Sequence, residues 1–251
     1  MEQGFINEVK ISNCYNGKTV RSLNDFQKDF IFKLFGPVDE DEVIQSGQMS
    51  QMYKPDIFLK IGDKTKFVSI KSGRSDSMHF EGIKSLILYL RSKGVSNDTQ
   101  KIILLFHYGD GTLDGTGHQR FELNKVLAKM GDKIAKANEE LNREDIIEEC
   151  LYRFVFRGFR ENEPCVDAIY YGDEKYGTFA KKDHIIRFVL RKRYEHINTL
   201  HIGPMTIQPY LRDVLKVSKH QEKREQIQVK WHYLLTDLQY VNNVAERQHW
   251  R

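Results

Sequence analysis

The chain has 251 residues, 40% apolar and 29% charged, with five prolines and a net charge of +4. This balance describes a soluble globular protein, long enough for one sizeable core or a core plus a smaller lobe. It excludes a disordered chain, and no stretch approaches the roughly 20 apolar residues that span a bilayer. Three cysteines (Cys14, Cys150 and Cys165) stand far apart, odd in number and without a Cys-x-x-Cys pair, which excludes a disulfide framework and a structural zinc site.

The start, MEQGFINEVK, lacks the basic-then-apolar pattern of a secretory leader, so a cytoplasmic protein is expected. No repeat or linker divides the sequence, and the expectation is a single domain over residues 1–251, with a core over about 20–145 and a basic recognition region over about 150–251. From Leu23 to Phe35, Phe26, Phe30, Ile31 and Leu34 recur at helical spacing before Gly36-Pro37, which predicts an amphipathic helix. Val43-Ile44 is a possible strand. Ile57, Leu59 and Ile61 alternate with polar neighbours, Gly62 to Thr65 reads as a turn, and Phe67 to Lys71 alternates again, so a hairpin is expected.

After the polar loop Ser72 to Ser77, a helix capped by Asp76 or Ser77 is expected to run to about Lys93, with Phe80, Ile83, Ile87 and Leu90 on its buried stripe. Lys101 to His107 reads as a short central strand and Phe121 to Leu141 as a helix. Ile146 to Phe156 fits helix or strand, and Val166 to Tyr171 and Ile185 to Leu190 read as strands. Trp231, Tyr233 and Tyr240 read as core of a C-terminal helix. Strand, strand, helix, strand is the order of a mixed α/β fold.

Charge is uneven along the chain. Residues 1–150 carry 21 basic against 23 acidic side chains, and 151–251 carry 18 against 12. The C-terminal excess suits a surface that faces a polyanion, although such runs also serve as plain solvated faces.

The chemistry concentrates in Lys54 to Gly73. With Gly62 to Thr65 as a four-residue loop, Ile61 faces Lys66 and Asp56 faces Lys71, and alternation puts Asp56, Ser69 and Lys71 on one face of the hairpin. Glu81, early in the following helix, can point back to the same spot. Two carboxylates beside an ammonium suit an all-oxygen magnesium site, with Asp56 and Glu81 as ligands and Lys71 positioning or deprotonating a water. Pro55-Asp56, a short hairpin and a lysine two residues after position 69 resemble the PD-(D/E)XK superfamily, which includes many type II restriction endonucleases. Ser69 departs from that pattern, which has Asp or Glu there. The resemblance extends to a variant in which serine takes that place and the acid comes from the next helix, Glu81 here. It implies a restriction-endonuclease-like α/β fold, a mixed central sheet flanked by helices with C-terminal DNA-contacting elements. It implies Mg2+ with Mn2+ as substitute, double-stranded DNA as substrate, and a homodimer with one site per strand.

Other residues fill supporting roles. Ser72, Gly73 and Arg74 read equally as a turn or as contacts to DNA phosphates. Gln208 and Arg212 carry the groups that recognise adenine and guanine, within a loop that also suits solvent. His79 can touch a phosphate or a metal-bound water, and Glu42 can add a ligand. Gly109 to Gly117 lacks Gly-Lys-Ser/Thr and matches no nucleotide-binding loop. Three functions stay open from sequence: a site-specific endonuclease, a repair or degradative nuclease, and a silent DNA-binding module that has lost the acid at position 69.

Overall fold

The computed structural model describes residues 3–73, 76–117, 120–159, 162–194, 199–210 and 223–248. Helices α1 (Gln3–Tyr15) and α2 (Asp25–Phe35) precede strands β1 (Gln45–Gln48), β2 (Ile57–Ile61), β3 (Lys64–Lys71) and β4 (Ser77–Gly82). Four helices follow: α3 (Ile83–Ser92), α4 (Asn97–Tyr108), α5 (Leu123–Leu141) and α6 (Glu144–Leu151), the last running into a π-helical turn at Tyr152–Phe156. Strands β5 (Ala168–Gly172) and β6 (Gly177–Lys181), helix α7 (Lys182–Arg191), strands β7 (His201–Ile202), β8 (Met205–Pro209) and β9 (Gln226–Lys230), and helix α8 (Leu234–Gln248) complete the order.

By its contacts the chain forms two compact units. One comprises Met1–Ser75, Leu151–Phe188 and Tyr233–Arg251, and the other Asp76–Cys150 and Val189–His232. The first holds a mixed sheet in the order β1-β2-β3-β5-β6, in which only the β3–β5 pair is parallel. The second holds an antiparallel sheet, β4-β9-β8-β7. Among the described residues no helix is long and apolar enough to cross a membrane.

In the first unit the hydrophobic pattern sets the layers. Ile57, Leu59 and Ile61 on β2 and Val68 and Ile70 on β3 are buried in one cluster with Ile11 and Tyr15 of α1 and Phe30, Ile31 and Leu34 of α2. Phe30 meets Tyr170 and Phe179 edge-on, at 5.3 and 4.8 Å between ring centroids. The predicted α2 is present, started by a capping box between Asn24 and Gln27 and stopped by Gly36 at φ +80.

Several expectations are corrected. The hairpin turns through two residues, not four: Ile61 pairs with Lys64 and Ile57 with Val68, and Gly62 adopts φ +54, the positive φ a tight turn requires. The expected helix from Asp76 begins only at Ile83, because Ser77–Gly82 is a strand paired with β9, a partner some 145 residues away that local sequence does not reveal. Its buried stripe is Ile83, Leu86, Ile87 and Leu90, and Phe80 is 46% exposed. The apolar run at 101–107 lies in helix α4, which Ser96 caps by accepting from Thr99 N–H; Thr99, Ile102, Ile103 and Phe106 are buried at helical spacing. Likewise Ile185 to Leu190 is helical, with Ile185 and Val189 buried one turn apart. Short apolar runs fit both periods, and tertiary context decided these two.

Ile146 to Phe156 resolves as helix plus π turn, and β5 realises the expected strand at 166–171. Trp231 is buried but precedes α8, while Tyr233 and Tyr240 are 66% and 57% exposed, so neither tyrosine is core.

Candidate active site

The hairpin holds three of the expected residues. Asp56 stands one residue before β2, clamped by backbone on both sides: its N–H donates to Val68 O and its carbonyl accepts from Met49 N–H, each at 2.9 Å. The register places it opposite Ser69 rather than Lys71, a shift of two residues that leaves the face unchanged because side chains alternate with period two. Asp56 Oδ2 accepts from Ser69 Oγ at 3.0 Å and from Ile70 N–H at 2.5 Å, while Oδ1 has no hydrogen-bond partner among the described residues. Ser69 thus orients the carboxylate, and an acid in its place would repel it.

Lys71 ends β3 beside Tyr171 of β5 and forms no ion pair among the described residues. Its charge acts on a residue the sequence reading missed. Glu8 of α1 is pushed up to about 6, first by burial and next by the negative charge of Asp56, with Lys71 pulling the other way. Two carboxylates and an ammonium therefore share one electrostatic neighbourhood. The signal was present in the sequence: Glu8, Ile11, Ser12 and Tyr15 fall at i, i+3, i+4 and i+7, and the last three are buried, so Glu8 is an acid on the helix's inward stripe. What that stripe faces was not legible.

Ser72 and Gly73 continue from Lys71 and, with Ile6, Asn7, Lys10, Gly172, Asp173 and Tyr176, line a pocket of about 360 Å3. Gly73, at φ +66, accepts from Tyr171 Oη at 2.5 Å through its carbonyl, and Asn7 Nδ2 donates to Gly172 O at 2.9 Å. Arg74 and Arg212 lie outside the described residues. Glu42 precedes the isolated bridge between Thr19 and Val43.

Glu81 belongs to the second unit and sits on strand β4, not on a helix. It pairs with Ile227 on β9, and its Oε1 lies 3.4 Å from His79 Nε2, the two side chains being 1% and 3% exposed. Gln208, also in the second unit, faces Gln228 across β8 and β9 and donates to Thr206 Oγ1 at 3.0 Å.

The donor chemistry fits a hard divalent cation. Among the described residues no group of three or more His, Cys, Asp and Glu side chains gathers as a metal cage. Magnesium, however, commonly takes one or two carboxylates and fills its octahedron with water and substrate oxygens. Asp56 and Glu8 offer such a pair, and a carboxyl held near 6 by burial and then by a neighbouring carboxylate is one that a cation would bring down.

No family model matches the chain, and no curated protein matches it. Among solved structures, the restriction endonuclease MspI in complex with its cognate DNA is similar over 90% of this chain and 88% of that one, with a TM-score of 0.51 at 13% identity. The chain has a restriction-endonuclease-like α/β fold.

Proposed function

We propose that the protein is a magnesium-dependent DNA endonuclease, a type II restriction enzyme that hydrolyses phosphodiester bonds of duplex DNA at a short sequence. The observation that carries this reading is the grouping of Asp56, Ser69 and Lys71 at the hairpin with the Glu8 carboxyl in the field of Asp56 and Lys71. Support for DNA as the substrate comes from the likeness to MspI, whose solved structure holds its cognate DNA.

Asp56 and Glu8 would hold the cation, and Glu81 is retained as the further carboxylate that the sequence reading assigns. When bound, magnesium supplies charge neutralisation at the phosphate and a water acidified toward neutrality; manganese substitutes. Lys71 donates to a non-bridging phosphate oxygen or orients the attacking water, stabilising the charge that builds at the pentacovalent stage. Ser69 keeps Asp56 in one orientation. Ser72, Gly73 and Arg74, joined by Lys10, contact flanking phosphates, while Gln208 and Arg212 read bases. A homodimer places one site on each strand.

Supercoiled plasmid and phage DNA incubated with Mg2+ test the reading, with discrete fragments expected. A smear would favour a repair or degradative nuclease. No cleavage across a range of salt and of Mg2+ and Mn2+ would overturn it. That outcome would favour the silent DNA-binding module, the reading that Ser69 in the place of an acid supports. Glu8→Gln and Glu81→Gln, assayed side by side, separate the two carboxylates.

A further inference from the structure

The second unit carries a polar sheet face with an unusual composition. On β8 and β9, Ile207, Ile227 and Val229 are buried on one side, which leaves Gln208, Gln226, Gln228 and Lys230 partly exposed on the other, beside a buried Thr206. The register runs Gln208 opposite Gln228, and Gln228 opposite Phe80 on β4, so an amide, an amide and an exposed aromatic ring form one row across three strands. Glutamines are three of the four partly exposed side chains on this face, and Phe80 stays 46% exposed while touching Tyr210 edge-on at 5.3 Å. The neighbouring charges are cationic or already balanced: Lys223 lies over the Tyr210 ring, and Lys230 and His232 both pair with Asp76.

The Gln228 amide is preorganised. Its Nε2 donates to Ser77 Oγ at 3.2 Å, which fixes the carboxamide plane and leaves its second N–H and Oε1, with no described partner, to address a ligand. A donor and an acceptor side by side are what adenine N7 and N6 require, and an aromatic side chain next to them suits the thymine methyl group. Spacing agrees as well. Gln226 and Gln228 are two residues apart on one strand, about 6.6 Å, close to two base-pair steps of about 3.4 Å. The outer strands of the row are about 10 Å apart, within the roughly 12 Å width of the major groove.

We propose that the β4–β9–β8 face reads A·T base pairs in the major groove, with Gln228 on adenine, Phe80 on the thymine methyl, and Gln226 on the pair two steps along. This deepens the endonuclease reading and rests on it for DNA as the partner. The test selects bound duplexes from a randomised library with the full-length protein in Ca2+, then measures competition by the selected duplex carrying 7-deazaadenine, which lacks N7. Expected are an enriched motif containing A·T pairs, a loss of about tenfold or more in competition by the 7-deazaadenine duplex, and relaxed selection at that position for Gln228→Ala. A motif of G·C pairs alone, indifference to 7-deazaadenine, or no enrichment overturns the proposal. The two readings fail separately. An A·T motif without cleavage in Mg2+ would sink the nuclease and keep the base reader, whereas cleavage at a G·C motif would do the reverse.

Discussion

One cluster of charged groups in each unit makes a contrast. In the second unit the cluster is matched: Arg224 Nη2 meets Asp110 Oδ2 at 2.6 Å, Tyr108 Oη donates to Glu225 Oε2 at 2.8 Å, His107 Nε2 lies 2.7 Å from Arg224 O, and Glu81 has His79 beside it. In the first, Lys71 has no described ion-pair partner, and Glu8 is made harder to ionise, first by burial and next by the charge of Asp56. Matched charges hold a structure together. A half-buried carboxyl beside a second carboxylate is an arrangement that a bound cation would relieve, and the proposed cation site rests on that contrast.

Substitutions can break the comparison. The largest effect is expected at Lys71. Lys71→Ala should lower single-turnover cleavage by roughly 10^2- to 10^3-fold, the scale for losing one electrostatic contact to a transition state, with an unchanged denaturation midpoint. A fall in stability of similar weight would mean that Lys71 is structural.

Acid should weaken the second unit through His107. Burial, with help from Arg120, pushes its pKa down to about 4 despite the bond to the Arg224 carbonyl. The folded form therefore binds fewer protons than the unfolded one between about 4 and 6.5. Stability is fully present above 6.5 and is lost as the pH falls through that window, by up to about 3 kcal/mol. Denaturant midpoints of the wild type and His107→Gln across pH 4 to 7 check this, since the variant should lack most of the slope.

Arg224→Ala strips Asp110 of its cation and should cost about 1.5–3 kcal/mol of stability while leaving magnesium affinity intact. Loss of metal binding in that variant would erase the distinction between the units. The smallest effect is expected at Ser69. Ser69→Ala removes one hydrogen bond to Asp56 and should slow cleavage by roughly 5- to 10-fold, on the scale of about 1 kcal/mol. Ser69→Thr, which keeps the hydroxyl, should restore most of the rate.

The same contrast explains what the sequence could tell. The face shared by Asp56, Ser69 and Lys71 was legible because strand parity survives an error of two residues, and the turn length was the only mistake. The first core was legible in Phe30, Ile31 and Leu34 and in the alternation of Ile57, Leu59 and Ile61. Strand β4 was not, since Ser77 to Gly82 becomes a strand only by pairing with β9 far along the chain. With it went the expected helical setting of Glu81. Glu8 was half legible: its stripe could be read from helical spacing, but its neighbours Asp56 and Lys71 arrive through tertiary folding.

Calorimetric titration of Mg2+ and Mn2+ into the wild type, Asp56→Asn and Glu8→Gln tests the central claim most directly, because it reads the cation site without requiring a DNA sequence. Saturable uptake by the wild type, weakened by at least tenfold in both variants, is the predicted result. No uptake by the wild type, or equal uptake by all three proteins, would contradict the proposed site.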